Sequence, residues 1–144
     1  MQKKSTLMIL LVFLIPSTLF AVEDVKSGYD LYHNLKLMDN PQSPEDITTG
    51  FLAVGYLMGC IDGLIFMQDT LYNAMFPPKV MSAEERSKFS KKMNFNRLNF
   101  PEKGIPVGQM ILIFNKYSEN HPEELNNTAR VCILGSLIEA YGWK

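Results

Sequence analysis

Apolar residues recur at helical spacing along most of the chain after residue 26. From Ser27 to Met38, the sets Tyr29, Tyr32, Leu35 and Leu31, Leu35, Met38 each share a helix face, which predicts a short amphipathic helix. Asp39-Asn40-Pro41 ends it. Ser43-Pro44-Glu45-Asp46 then opens a second helix: Ser43 can cap free amides, Pro44 suits the first helical position, and the two acids face the positive end of the helix dipole. This helix is expected to run to about Ala74, before Pro77-Pro78 stops it. Ser82-Ala83-Glu84-Glu85 is another capping box, starting a short polar helix to about Ser90. Met93 to Gly104 has no period and reads as a loop. Helical spacing returns from Pro106 to Glu119 through Met110, Ile113, Phe114 and Tyr117. After Asn120-His121-Pro122, a last helix is expected from about Asn127 to Tyr141, with apolar contacts from Val131, Ile133, Leu134, Leu137 and Ile138. No alternating strand pattern competes. The expectation is an all-α fold, one small domain of about four to five helices.

The N-terminus has a different pattern. Lys3 and Lys4 precede an uncharged apolar run from Leu7 to Ile15, Pro16 breaks it, and Ser17 to Ala21 leads to a small residue. That layout is a cleavable secretory signal, with cleavage after Ala21. The run is shorter than the roughly 20 residues a membrane anchor needs. Residues 22–144 then form the exported domain, and in a cell with two membranes its place is the periplasm.

Within the long second helix, Gly55, Gly59 and Gly63 recur every four residues. Each costs about 1 kcal/mol relative to alanine in a helix interior, so close approach of another backbone is the expected compensation. The last helix offers a strip of small residues, Ala129, Cys132, Ser136 and Ala140, as the face to meet them. Two cysteines are present, Cys60 and Cys132, and an even pair in an oxidising compartment reads as one disulfide. Docking of the two small faces would make that bridge feasible. The same stretch, Phe51 to Met67, carries one charge, Asp62, and its glycine spacing also suits a membrane helix pair. Asp62, and Gln68-Asp69 directly after the run, favour a buried core helix instead of a membrane span. Asp62 itself reads either as a buried acid with a perturbed pKa or as a carboxylate satisfied by hydrogen bonds.

Charge and chemistry narrow the function. Residues 22–78 carry eight acidic and two basic side chains, whereas residues 79–103 carry seven basic and three acidic. After loss of Lys3 and Lys4 the balance is acidic, which does not suggest nucleic acid. The histidines, His33 and His121, are the only two and neither has a cysteine beside it. Neither a serine elbow, a phosphate loop nor a metal-ligand spacing is present, so no catalytic residue, cofactor or metal is assigned. The candidate partner-binding segment is the loop from Lys91 to Lys103. There Lys91, Lys92 and Arg97 alternate with Phe95 and Phe100, aromatic anchors among basic groups. The competing reading has the phenylalanines folded onto the core and the lysines solvated.

Several motifs occur in a telling order: Gly55-Tyr56-x-x-Gly59-x-x-Asp62, Pro106-Val107-Gly108-Gln109, Tyr117 with His121-Pro122-Glu123, and Glu139-Ala140-Tyr141. With the export signal and the helical pattern, the chain resembles the Rap/Tai family of periplasmic immunity proteins, across roughly Gly28 to Gly142. The resemblance implies a small helical protein, often a homodimer, that occludes the active-site cleft of a peptidoglycan amidase effector delivered by type VI secretion. It implies no catalysis and no cofactor. The chain departs from the family at its cysteines: Leu98 and Phe100 precede Pro101, and Trp143 stands near the end, where family members carry the cross-linked pair. An alternative reading is a small periplasmic helical chaperone of the acid-stress type.

Overall fold

Two of the helices start at the caps the sequence marks. The computed structural model describes residues 25–93 and 97–143. They form α1 (Gly28–Lys36), α2 (Pro44–Met75), α3 (Ala83–Lys92), α4 (Val107–Asn120), a 3₁₀ helix (Pro122–Asn126) and α5 (Ala129–Tyr141). Ser43 accepts the Asp46 amide while Asp46 returns a bond to the cap backbone, and Ser82 and Glu85 do the same at α3. A third such box starts α1. The Asp30 carboxylate accepts the Ser27 amide at 2.9 Å and the Ser27 hydroxyl at 2.8 Å. The backbone bond from Ser27 and then its side-chain bond hold the Asp30 carboxyl below the ordinary carboxylate range.

The fold is all-α, as expected. Among the described residues the only ladder pairs are two isolated bridges, Ser27 with Thr128 and Leu98 with Trp143. The expected signal segment lies outside the described residues.

The core sits between α1, α4, α5 and the inner face of α2. Leu31, Leu57, Phe114, Ile133 and Leu137 are fully buried there. Their closest packing uses glycines that the helical period did not single out. A Cβ on Gly28 would strike the Cys132 Sγ and lie 3.3 Å from the Leu125 Cα. One on Gly135 would strike the Tyr117 hydroxyl, with the ring Cζ at 2.8 Å. The buried Ser118 and Ser136 hydroxyls donate to the Phe114 and Ile133 carbonyls at 2.8 and 2.7 Å, so these small polar groups are satisfied within their own helices.

Three expectations about α2 are corrected. The strip Ala129, Cys132, Ser136 does pack tightly, but inward, with Cys132 against α1 and the 3₁₀ helix, while Ala140 is exposed. Gly55, Gly59 and Gly63 point away from it: a Cβ on any of them meets no described atom within 4 Å. Only Gly50, Ala53, Leu57 and Ile61 of α2 are buried, so this is a half-exposed helix and not a core one. Asp62 is on the open side and is exposed, which removes the buried-acid reading. The physical reason is that α2 is apolar nearly all round, so its sequence does not say which face turns inward. By length and composition it is also long and apolar enough to cross a membrane.

The disulfide is corrected as well. Cys60 and Cys132 are both free thiols. Cys132 is buried and donates to the Glu124 carbonyl at 3.3 Å, inside the packing of α1, α5 and the 3₁₀ helix. Cys60 is half-buried on the flank of α2.

Candidate functional site

Two concavities flank the outward face of α2, and they differ in chemistry. The first lies between the C-terminal half of α2 and the segment 97–104. It is a cavity of about 330 Å³ whose lining includes Ile65, Asp69, Arg97, Phe100 and Glu102. Gln68 builds its wall: its side-chain carbonyl accepts the Leu98 amide at 2.8 Å, and its side-chain NH₂ donates to the Leu98 carbonyl at 3.0 Å. One glutamine thus satisfies both backbone groups of a residue that has no helix to satisfy them. On its other side the segment is held by the Leu98–Trp143 bridge and by the Asn99 amide donating to the Gly142 carbonyl at 3.3 Å. An irregular loop therefore has a fixed course.

The predicted partner-binding residues fall unevenly around this cavity. Lys91 and Lys92 are exposed at the end of α3, where two cations suit the negative end of the helix. Arg97 is half-buried, its guanidinium stacked 4.4 Å from the centre of the Tyr72 ring. Phe100 turns back onto the domain, edge-on to Tyr141 with ring centres 5.7 Å apart. It is packing, not a free anchor. Phe95 lies outside the described residues. Among the described residues the exposed aromatic here is Trp143, 53 % exposed and paired through its backbone with Leu98. Sequence reasoning missed Trp143 and Asp69 as neighbours of the loop. The single tryptophan of the chain was the available signal.

The second concavity is an apolar groove of about 400 Å³ between α2 and α5. Gly59, Gly63, Leu64 and Met67 form one side and Val131 and Leu134 the other. Cys60 and Arg130 also line it, and both act on the nearby Tyr56 hydroxyl. Burial pushes the Tyr56 hydroxyl and the Cys60 thiol above their ordinary pKa values, outweighing the influence of Arg130 on Tyr56 and of Tyr56 on Cys60, which acts the other way. Burial does the same to Cys132. Both thiols are therefore neutral at pH 7, the form that is a poor nucleophile and a poor metal ligand. No protein-family model, curated protein or solved structure matches the chain.

The remaining polar cluster has the features of a tie between helices. His121 closes α4, with Nε2 at 2.8 Å from a Glu139 carboxylate oxygen and Nδ1 at 3.7 Å from Glu123. Its ring also packs on Tyr117, centres 4.6 Å apart. Lys36 of α1 meets Glu119 of α4 at 3.2 Å, and that bond raises the Lys36 pKa. Among the described residues no group of His, Cys, Asp and Glu is arranged to hold a metal ion.

Proposed function

We propose that the chain is an exported immunity protein that binds a peptidoglycan amidase effector and inhibits it by occluding its active site, in the manner of the Rap/Tai family it resembles. It acts by binding, with no chemistry of its own and no cofactor, in the periplasm and not across a membrane. The observation that carries the reading is the fixed loop beside Trp143. Binding is weakened by whatever must be ordered on association, and a loop pinned by Gln68 and by Trp143 needs little ordering. Around it, Lys91, Lys92 and Arg97 supply the positive end of a dipolar surface, which steers encounter with an acidic cleft rim. Trp143 supplies the kind of large side chain that dominates interface energetics.

The test is inhibition of peptidoglycan cleavage by a purified amidase effector of type VI secretion. Trp143→Ala is expected to weaken inhibition by about 30-fold, the equivalent of an interface hot spot of about 2 kcal/mol. Lys92→Glu is expected to slow association and to make it less sensitive to salt. Both variants should keep the helical circular dichroism of the parent. Full inhibition by both variants would place the effector surface elsewhere, and no inhibition by the parent would remove the immunity reading altogether.

A further inference from the structure

We infer that Arg86 and Arg97 form an oxyanion site at the Tyr72 ring, which takes a carboxylate side chain of the protein partner. The two cations come from separate segments. Arg86 lies in α3 and Arg97 in the segment after it, and both guanidiniums reach the same ring of α2, at 5.9 and 4.4 Å from its centre. They therefore lie within about 10 Å of each other, a distance over which like charges still repel at ordinary ionic strength. A ring face attracts each cation without accepting the hydrogen bonds its nitrogens offer.

Nothing within the chain neutralises the pair. Among the described residues neither arginine has a carboxylate partner. Glu85, next to Arg86, is already used: it accepts the Ser82 amide at 2.8 Å in the capping box of α3. The Arg86 Nε is buried and has no hydrogen-bond partner. A buried donor left without an acceptor is destabilising, and native structures carry few of them. An unpaired guanidinium donor with a second guanidinium beside it is the arrangement that grips an oxyanion, because each planar fork matches the two oxygens of a carboxylate.

The surroundings favour a carboxylate carried by a protein. Residues 79–103 hold seven basic and three acidic side chains, a field that draws an anionic surface toward the site. Arg97 also lines the cavity beside the pinned loop, so the site is continuous with the surface proposed to meet the amidase. Arginine and an aromatic ring together are the usual composition of an interface hot spot. The inference rests on the immunity reading for the identity of the partner, and not for the existence of the site.

The arginine Nε–H signals in nitrogen–proton NMR spectra of the purified protein test it. Acetylated glutamate methylamide is the probe, and the matching glutamine compound, alike in shape but uncharged, is the control. At equal ionic strength the glutamate probe is expected to shift the Arg86 and Arg97 signals, and the control to leave them in place. Arg86→Lys keeps the cation and loses the planar fork, so the response at Arg97 should weaken by about tenfold or more. Against a purified amidase effector of type VI secretion the same variant should lose about tenfold in inhibition, with helical circular dichroism unchanged. Equal shifts from both compounds, a response to inorganic phosphate alone, or an Arg86→Lys variant that responds and inhibits like the parent would each overturn the proposal. A parent that responds to the glutamate probe but inhibits no amidase would remove the immunity reading and leave the site standing.

Discussion

Two sets of glycines divide this molecule. Gly28 and Gly135 are pressed against Cys132 and Tyr117, where the helices of the core touch, whereas Gly55, Gly59 and Gly63 face open space on α2. The residue type is the same and the local helical geometry nearly so, yet the energetic meaning is opposite. In the first set the missing side chain creates the contact, and its loss would be felt inside one chain. In the second set the missing side chain does nothing for the isolated domain. The contrast separates what holds the fold together from what the surface is for.

The largest expected effect lies in the first set. Gly135→Ala replaces a poor helix former with the best one, which alone would stabilise α5. The new Cβ would meet the Tyr117 ring, which is buried and packed on His121. Overpacking should win, with a loss of about 1–3 kcal/mol. Thermal unfolding followed by helical circular dichroism would show this as a lowered midpoint. A raised midpoint would mean that the ring yields, and that the two glycine sets do not differ as described.

A smaller effect should come from Ser27→Ala. Ser27 starts α1, the helix that presses Gly28 on Cys132, so its capping box seats one of the closed contacts. Loss of the cap is expected to cost about 1 kcal/mol. The same box gives a pH signature. Asp30 has a lowered pKa in the folded chain, so its contribution is present above the unfolded value of roughly pH 4 and is lost as the pH falls below it. Denaturant titrations at pH 7 and pH 3 should therefore show the parent approaching the variant in acid. A gap that stays constant would assign the effect to helix propensity instead of the box.

Much of this was legible in the chain, and the division follows physical lines. Helix starts at Ser43 and Ser82 are local events, written in four residues and realised as such. The ends at Pro77 and His121-Pro122 are local too. The orientation of α2 is not local: with one charge between Phe51 and Met67, no polar stripe marks the outside, and both faces look fit for a core. Pairing the open glycines with the strip on α5 was reasonable from spacing, but that strip had a nearer partner in Gly28. The sequence predicts an irregular segment, and its described residues 97–104 are irregular. Its fixation by Gln68, thirty residues away, depends on the fold and leaves no periodic trace. For the same reason spacing does not choose between Phe100 as an anchor and Phe100 folded back on the core, where Tyr141 of α5 lies beside it.

The smallest and most discriminating effect belongs to the open set. Gly55→Ala should stabilise the single chain by about 0.5–1 kcal/mol, since alanine restricts the unfolded backbone and its methyl meets nothing in the fold. Thermal unfolding followed by helical circular dichroism checks it, and the midpoint should rise. A Gly55→Ala variant that loses stability would return the glycine face to the core.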